Sequence, residues 1–151
     1  MSLHENFDAP IDSIISRSDG LIVVCLSNVF GNTWDGGIVV LPPGQFGQNK
    51  GPQKLPTPSG CTDAAFIDPS GSSIAVSCDD GNVAIYNIDG YSINGIPTKL
   101  LTDHENSVTA VSVSRTQPGS VLSASMDHSI IQSSLDGANS SFVHEFKGMC
   151  Y

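Results

Sequence analysis

The chain has 151 residues, enough for one domain with a sizeable core, and carries 15 acidic side chains against six lysines and arginines. Its net charge of −9 argues against binding to nucleic acid or to anionic membranes, since both require a basic footprint. The longest apolar run, residues 21–26, is far too short to cross a bilayer, and the first residues lack a signal-peptide pattern.

Short runs of strand-forming residues follow one another along the chain, and helical periodicity is weak throughout. Turns rich in Gly, Pro, Ser and Asp separate these runs. In chain order the runs are LIVVCLS, GGIVVL, SSIAVSC, NVAIYNI, SVTAVSVS and SVLSASM. An all-β fold is therefore predicted.

The runs belong to an internal repeat. Residues 62–89 align without a gap with residues 109–136 at an offset of 47, which places Asp80 on Asp127. An earlier copy begins near Ile11. Its first two strands align with those of the second unit at an offset of 51, and its third strand aligns at an offset of 45. The first copy therefore has six extra residues between its second and third strands, and Trp34 is predicted to lie in that enlarged turn.

Each unit is predicted to contain a fourth strand. Residues 97–107 and 139–148 suit this role, and the proline-rich residues 41–58 allow only an edge strand and a loop. Four strands in about 40–47 residues are typical of a propeller blade. The predicted organisation is an N-terminal extension (1–10), three blades (11–58, 59–107 and 108–148) and a tail (149–151).

The units resemble WD repeats. The third unit has His104, Ser123 (or Ser125) and Asp127 where the WD repeat has its His, Ser and Asp. The resemblance implies a structural hydrogen-bond network, which we prefer to the alternative of a catalytic triad. Asp80 is expected to have the same structural role at an Asp-Gly turn. The Trp-Asp signature itself is degraded, to Tyr86-Asn87 and Ser133-Ser134.

In blade order and loop features, residues 11–136 also resemble a family of WD-repeat adaptor proteins. These adaptors belong to the methylosome, the complex of the type II protein arginine methyltransferase. That family implies a non-catalytic scaffold in the cytoplasm and nucleus, without metal or cofactor. It binds the methyltransferase and helps to present Arg-rich substrates such as Sm proteins and histones. The resemblance assigns partner binding to Trp34, with Phe30 and Asn32 beside it. The alternative is that the indole covers its own turn.

Two other functions are left open. One is a generic WD-repeat scaffold in another complex, and the less favoured one is an enzyme that uses the central channel. Acidic residues are expected in turns at the rims, where they either attract Arg-rich tails or are simply solvated. These residues are Asp63, Asp68, Asp79, Asp80, Asp103, Glu105 and Asp127.

Three blades are fewer than the four to eight that a closed propeller typically contains. We therefore expect part of a seven-bladed ring, from a truncated gene model, a fragment or a degenerate paralogue. The last blade is expected to expose an apolar face. The four cysteines show no metal-binding or redox spacing, which favours a reducing compartment in which they act as small apolar residues.

Overall fold

The computed structural model describes residues 7–30, 32–44, 52–136 and 140–145, without the side chains of residues 29, 30 and 140–145. This part of the chain contains thirteen strands and no helix, and so has no helix that could cross a membrane. The strands are β1 (Ile11–Ser16), β2 (Ile22–Phe30), β3 (Thr33–Leu41), β4 (Gln53–Thr57), β5 (Cys61–Phe66), β6 (Ser73–Cys78), β7 (Val83–Asp89), β8 (Ser92–Ile93), β9 (Lys99–Leu101), β10 (Val108–Val113), β11 (Ser120–Ser125), β12 (Ser129–Ser134) and β13 (Ser140–Glu145).

The strands form three antiparallel sheets in which each strand before β8 pairs with the next one of its own sheet. The first sheet has the order β1-β2-β3-β4 and the third has the order β10-β11-β12-β13. In the second sheet β5, β6 and β7 are followed by β9, while the two-residue β8 pairs with the far end of β7. The outer strands β4, β9 and β13 lie in the segments predicted to hold them, and Pro56 lies on the edge strand β4.

A bulge at the same point of each first strand shows that the sheets are copies of one unit. The pairing register shifts after Ile11, after Cys61 and after Val108. In the second and third sheets the pairs Cys61–Cys78 and Val108–Ser125 are equivalent. The predicted offset of 47 residues is therefore confirmed.

The predicted offset of 51 between the first and second units is wrong by one residue in each strand. Ser16 pairs with Ile22, whereas its equivalent Phe66 pairs with Ile74, so the offsets are 50 in the first strand and 52 in the second. The connection between β1 and β2 is two residues shorter than its counterpart. Because a shift of one residue moves a side chain to the opposite face of a sheet, the correction decides which residues pack together.

The hydrophobic core lies between stacked sheets. One cluster joins the first sheet, including Val23 and Ile38, to the second, including Ile74 and Val76. A second cluster joins the second sheet to the third through residues such as Val83 and Val121. The first strand of the second sheet, β5, also contacts the first strands β1 and β10 on either side. The sheets are therefore arranged like neighbouring blades, with their first strands innermost.

The two terminal faces of the stack differ. Phe7 and Ala9 cover the outer face of the first sheet over Val24, Leu26, Val39 and Leu41, but Ile11 and Ile14 on β1 stay exposed. On the outer face of the third sheet, exposed Ser112 and half-buried Gln132 lie opposite half-buried Leu122. The side chains of β13 lie outside the described residues, so the exposed apolar face expected on the last blade stays a prediction.

Candidate functional site

The first sheet carries a projecting two-stranded ribbon, residues 28–35, which we call the Trp34 ribbon. Pairing of β2 with β3 continues to Phe30–Thr33, whereas β4 reaches only Gly36. The offsets of 52 in the second strand and 45 in the third give the first unit seven extra residues here, one more than predicted. They lengthen both strands, which satisfies their backbone groups better than a loop would. The predicted enlarged turn is wrong, because Trp34 lies within β3 opposite Val29.

Asp35 and Gly36 also lie within β3, although Asp-Gly is a common turn pair. Asp35 accepts a hydrogen bond from Asn28 Nδ2 at 3.0 Å, which joins the two strands of the ribbon. A Cβ on Gly36 would lie 2.5 Å from Leu26 O and 2.6 Å from Ser59 O. The base of the ribbon therefore packs closely against the segment that leads to the second sheet.

The ribbon presents Trp34 to solvent, with 63% of the residue exposed. Tryptophan is highly buried on average in folded proteins, so this exposure is informative. Asn32 is exposed in the connection between β2 and β3. Phe30 is the last residue of β2, and its side chain lies outside the described part of the chain. The role of Phe30 beside Trp34 stays a prediction.

A small cleft lies beside the ribbon. Its volume is about 160 Å³, below the roughly 300–1,000 Å³ of typical small-molecule pockets. Asp8 and Lys54, which form an ion pair of 3.6 Å across it, are among its lining residues. This part of the molecule thus offers a protruding indole rather than a ligand cavity.

His104 is the centre of a hydrogen-bond network in the third sheet. The network lies at the end of that sheet that corresponds to the ribbon end of the first sheet. Its Nδ1 lies 2.9 Å from Asp127 Oδ2, and its Nε2 lies 2.8 Å from Ser123 Oγ. Asp127 also accepts hydrogen bonds from the backbone N–H groups of Glu105 and Ser129. The network ties the segment that enters β10 to the turn between β11 and β12.

The contacts of His104 have the connectivity of a catalytic triad but not its accessibility. Only 2% of the His104 side chain is exposed, and Ser123 is buried. Burial favours the neutral carboxyl of Asp127, but hydrogen bonds from Ser129 and His104 outweigh it and hold its pKa well below the usual range. The ionised carboxylate is therefore occupied by internal donors, and no substrate reaches the serine in this arrangement.

The second sheet fills the equivalent positions differently. Thr57 stands where the third sheet has His104, and among the described residues Asp80 accepts only from the backbone N–H of Asn82, within its turn. The link to the incoming segment comes instead from Asp79, whose Oδ1 accepts from Gly60 N at 3.0 Å. The structure therefore places Asp80 apart from His104, Ser123 and Asp127. Asp79 was expected in a turn at the rim, but this link was not predicted, because the repeat pattern marks only the position of Asp80.

Asp63 does not lie in a rim turn as predicted. It lies on β5, where Ser13 Oγ donates to its Oδ1 at 2.7 Å and Val111 N donates to its Oδ2 at 3.1 Å. One carboxylate thus bridges the first strands of all three sheets. No sequence signal distinguishes it from the other acids, because its partners are about 50 residues away on either side.

Asp68 does lie in a turn, but its carboxylate is occupied. Ser72 N and Ser73 N donate to it at 3.2 and 3.1 Å. Although burial raises the pKa of Asp68, hydrogen bonds from Ser70 and Ser73 outweigh that effect and lower it. Several of the predicted rim acids therefore stabilise the fold. The seven acids together do not form one continuous acidic binding face.

Arg17 is a structural link that sequence reasoning missed. Its guanidinium donates to both oxygens of Asp19 at 2.9 Å, and to the carbonyl groups of Gly71 and Gly90 in the second sheet. It also lies 5.7 Å from the ring centre of Tyr91. Arg17 therefore joins the first two sheets at the end opposite the Trp34 ribbon. In the described residues no group of His, Cys, Asp and Glu side chains is suited to holding a metal ion.

Solved structures show which fold this arrangement belongs to. One similar structure is in the crystal structure of a mitotic checkpoint complex, with a TM-score of 0.67 and 16% identity over 98% of this chain. Another is the WD40 domain of coronin from Toxoplasma gondii, with a TM-score of 0.64 and 16% identity over 82% of this chain. No protein-family model matches the sequence, and no curated protein is a detectable relative.

The chain therefore has the fold of a WD40 β-propeller, represented by three blade-like sheets. It spans 42% of the length of the checkpoint-complex chain and 32% of that of the coronin chain. At 16% identity the likeness concerns the fold alone.

Proposed function

We propose that the chain is a non-catalytic protein-interaction scaffold, and that Trp34 is its main contact with a partner protein. The observation that carries this proposal is the exposed indole on a projecting, internally paired ribbon. Interface hot spots are enriched in tryptophan, since a large rigid ring buries much apolar area at little cost in conformational entropy.

The close packing at the base of the ribbon supports the same proposal. Gly36 and Gly60 both lie where a Cβ would collide with neighbouring atoms. Gly60 lies close to Ser27, the residue of β2 at the base of the Trp34 ribbon. Close packing at its base limits how the ribbon can move before a partner arrives. Such preorganisation lowers the entropic cost of binding.

The partner that we propose is the type II protein arginine methyltransferase, with Arg-rich proteins such as Sm proteins or histones as the presented substrates. This assignment depends on the resemblance of residues 11–136 to the methylosome adaptor family, in which the tryptophan of the first blade inserts into the methyltransferase. The net charge of −9 is compatible with basic substrates. Action in the cytoplasm and nucleus belongs to the same proposal.

Binding of the methyltransferase by wild type and Trp34→Ala, measured by co-elution and by calorimetry, tests this proposal. We expect Trp34→Ala to weaken binding by about 30-fold or more, the effect of losing about 2 kcal/mol at a hot spot. The matched control is Ile96→Ala, because Ile96 is 75% exposed but lies outside the ribbon, between β8 and β9. Its affinity should equal that of wild type.

Two results would count against the proposal in different ways. Equal binding by wild type and Trp34→Ala would show that Trp34 is not the main contact, but the methyltransferase would remain the partner. No binding by wild type would show that the methyltransferase is not the partner. A generic scaffold in another complex would then be supported by a pull-down whose recovered protein is lost with Trp34→Ala and retained with Ile96→Ala.

A further inference from the structure

Two buried cysteines lie directly opposite each other in the second sheet. Cys61 at the start of β5 pairs with Cys78 at the end of β6. The next hydrogen bond outward runs from Asp79 N to Gly60 O at 3.0 Å, which identifies Cys61–Cys78 as a non-hydrogen-bonded pair. In such pairs the Cα atoms are about 4.5 Å apart, within the roughly 4.4–6.8 Å of disulfides.

The side chains of these cysteines also face each other. The neighbouring thiol of Cys61, followed by burial, raises the pKa of Cys78. Cys78 Sγ donates to Val76 O at 3.8 Å. Thr57 Oγ1 lies 3.3 Å from Cys61 Sγ on the other side. Cys25 belongs to the same core cluster, but it lies on β2 of the first sheet and its cross-strand partners are Ser13 and Ile38.

We propose that Cys61 and Cys78 form a reversible cross-strand disulfide when hydrogen peroxide oxidises them. The Cys78 thiolate attacks one peroxide oxygen, which gives a sulfenic acid and releases hydroxide. The Cys61 thiolate then attacks the Cys78 sulfur, the S–S bond forms and the second oxygen leaves as water. In total two thiols lose two protons and two electrons, and one peroxide becomes two water molecules.

Burial sets the rate and the order of these steps. Cys61 is 0% exposed and Cys78 is 6% exposed, so Cys78 is the residue that the oxidant reaches first. Both thiols are shielded while β5 and β6 are closed, and a buried thiol is poorly ionised. Oxidation therefore requires the strand ends beside the turn at Asp79 and Asp80 to open, which makes the reaction slow in the native state and faster in mild denaturant.

The disulfide would stabilise the strand ends next to the base of the Trp34 ribbon. Gly60, the residue before Cys61, packs against Ser27 at the base of the Trp34 ribbon and accepts from Asp79 N. A covalent link between Cys61 and Cys78 closes the loop of residues 61–78 and prevents these strand ends from separating. Under reducing conditions the link is absent, and the cysteines are small core residues.

The test uses the full chain treated with hydrogen peroxide, blocked with an alkylating reagent and mapped by mass spectrometry without reduction. We expect a peptide linked through Cys61 and Cys78 that has lost two hydrogen atoms, and that dithiothreitol separates. The melting temperature should rise by about 5 °C after oxidation, since a loop of this length is constrained in the unfolded chain. Cys25→Ala should retain the link and Cys78→Ala should lose it.

The linkage map on wild type decides the proposal even if a variant fails to fold. A link that involves Cys25 or Cys150, a link between two molecules, or alkylated Cys61 and Cys78 after prolonged oxidation in mild denaturant would overturn it. A Cys61–Cys78 link that dithiothreitol does not reverse would overturn its reversibility. A higher melting temperature in oxidised Cys78→Ala would overturn the role of the pair in stability.

Discussion

Equivalent residues of the second and third sheets perform different tasks. Asp127 is shared by His104, Ser129 and the backbone of Glu105, whereas Asp80 supports only its own turn. The difference arises because Thr57 replaces the histidine in the second sheet and leaves Asp80 without a side-chain partner from that position. The repeat pattern predicted both aspartates correctly as turn residues, but only the packed structure shows which one ties two segments together.

At neutral pH we expect Asp127→Asn to destabilise the protein by about 1–3 kcal/mol, because buried donors lose a charged acceptor. Asp80→Asn is the matched control and should cost less, since it disturbs a single exposed turn contact. Urea unfolding of both variants and wild type measures the difference. Equal losses in the two variants would contradict the network that we describe.

The pH dependence of this loss checks its electrostatic origin. The folded pKa of Asp127 is lowered, so its stabilising contribution is complete above the unfolded value of about 3.9 and is lost as the pH falls through the folded value. The stability gap between wild type and Asp127→Asn should therefore narrow below about pH 4. A gap that stays constant to lower pH would point to lost packing instead.

At the level of elements, the Trp34 ribbon shows how an insertion was accommodated. The repeat alignment predicted an enlarged turn at Trp34, but β2 and β3 remain paired as far as Thr33. Composition could not separate the two outcomes, because Gly, Asn and Asp are common in turns and are also tolerated in a short exposed ribbon. The position of Gly36 was decided by atoms distant in sequence, above all Ser59 O.

We expect Gly36→Ala to destabilise the base of the ribbon by about 1–3 kcal/mol, since its Cβ would overlap two backbone oxygens that cannot easily move. Gly95→Ala is the control, because its new Cβ would meet nothing nearer than Leu55 Cδ1 at 3.5 Å. Hydrogen exchange of residues 27–36 and thermal unfolding report the effect. Unchanged protection in Gly36→Ala would show that the ribbon does not depend on this contact.

At the level of the whole molecule, the stack of sheets is held by contacts between residues that are 35 to 54 positions apart. Asp63 joins the three innermost strands, Arg17 joins the first two sheets, and Lys99 Nζ donates to the carbonyl groups of Ser134 and Leu135. These links supplement the two apolar clusters between the sheets. The structure therefore couples the sheets through polar groups as well as through hydrophobic burial.

Asp63→Ala should reduce the free energy of unfolding by about 1–3 kcal/mol, because Ser13 Oγ and Val111 N lose their acceptor in a partly buried place. Asp89→Ala, which removes an exposed acid from β7, should have little effect. Guanidinium unfolding followed by two probes measures both. If Asp63 couples the sheets, Asp63→Ala should also lower the apparent m-value of unfolding. A two-state transition with the stability of wild type would contradict that role.

The sequence by itself determined the all-β class, the repeated four-strand unit and the gapless 47-residue relation between the second and third units. These features depend on local strand and turn preferences that each unit expresses in its own residues. Only the tertiary structure decided the offsets of 50 and 52 in the first unit, the strand position of Trp34 and the bridging role of Asp63. The physical reason is that register, protrusion and carboxylate partners are set by which sheets pack together, and those contacts join residues far apart in the chain.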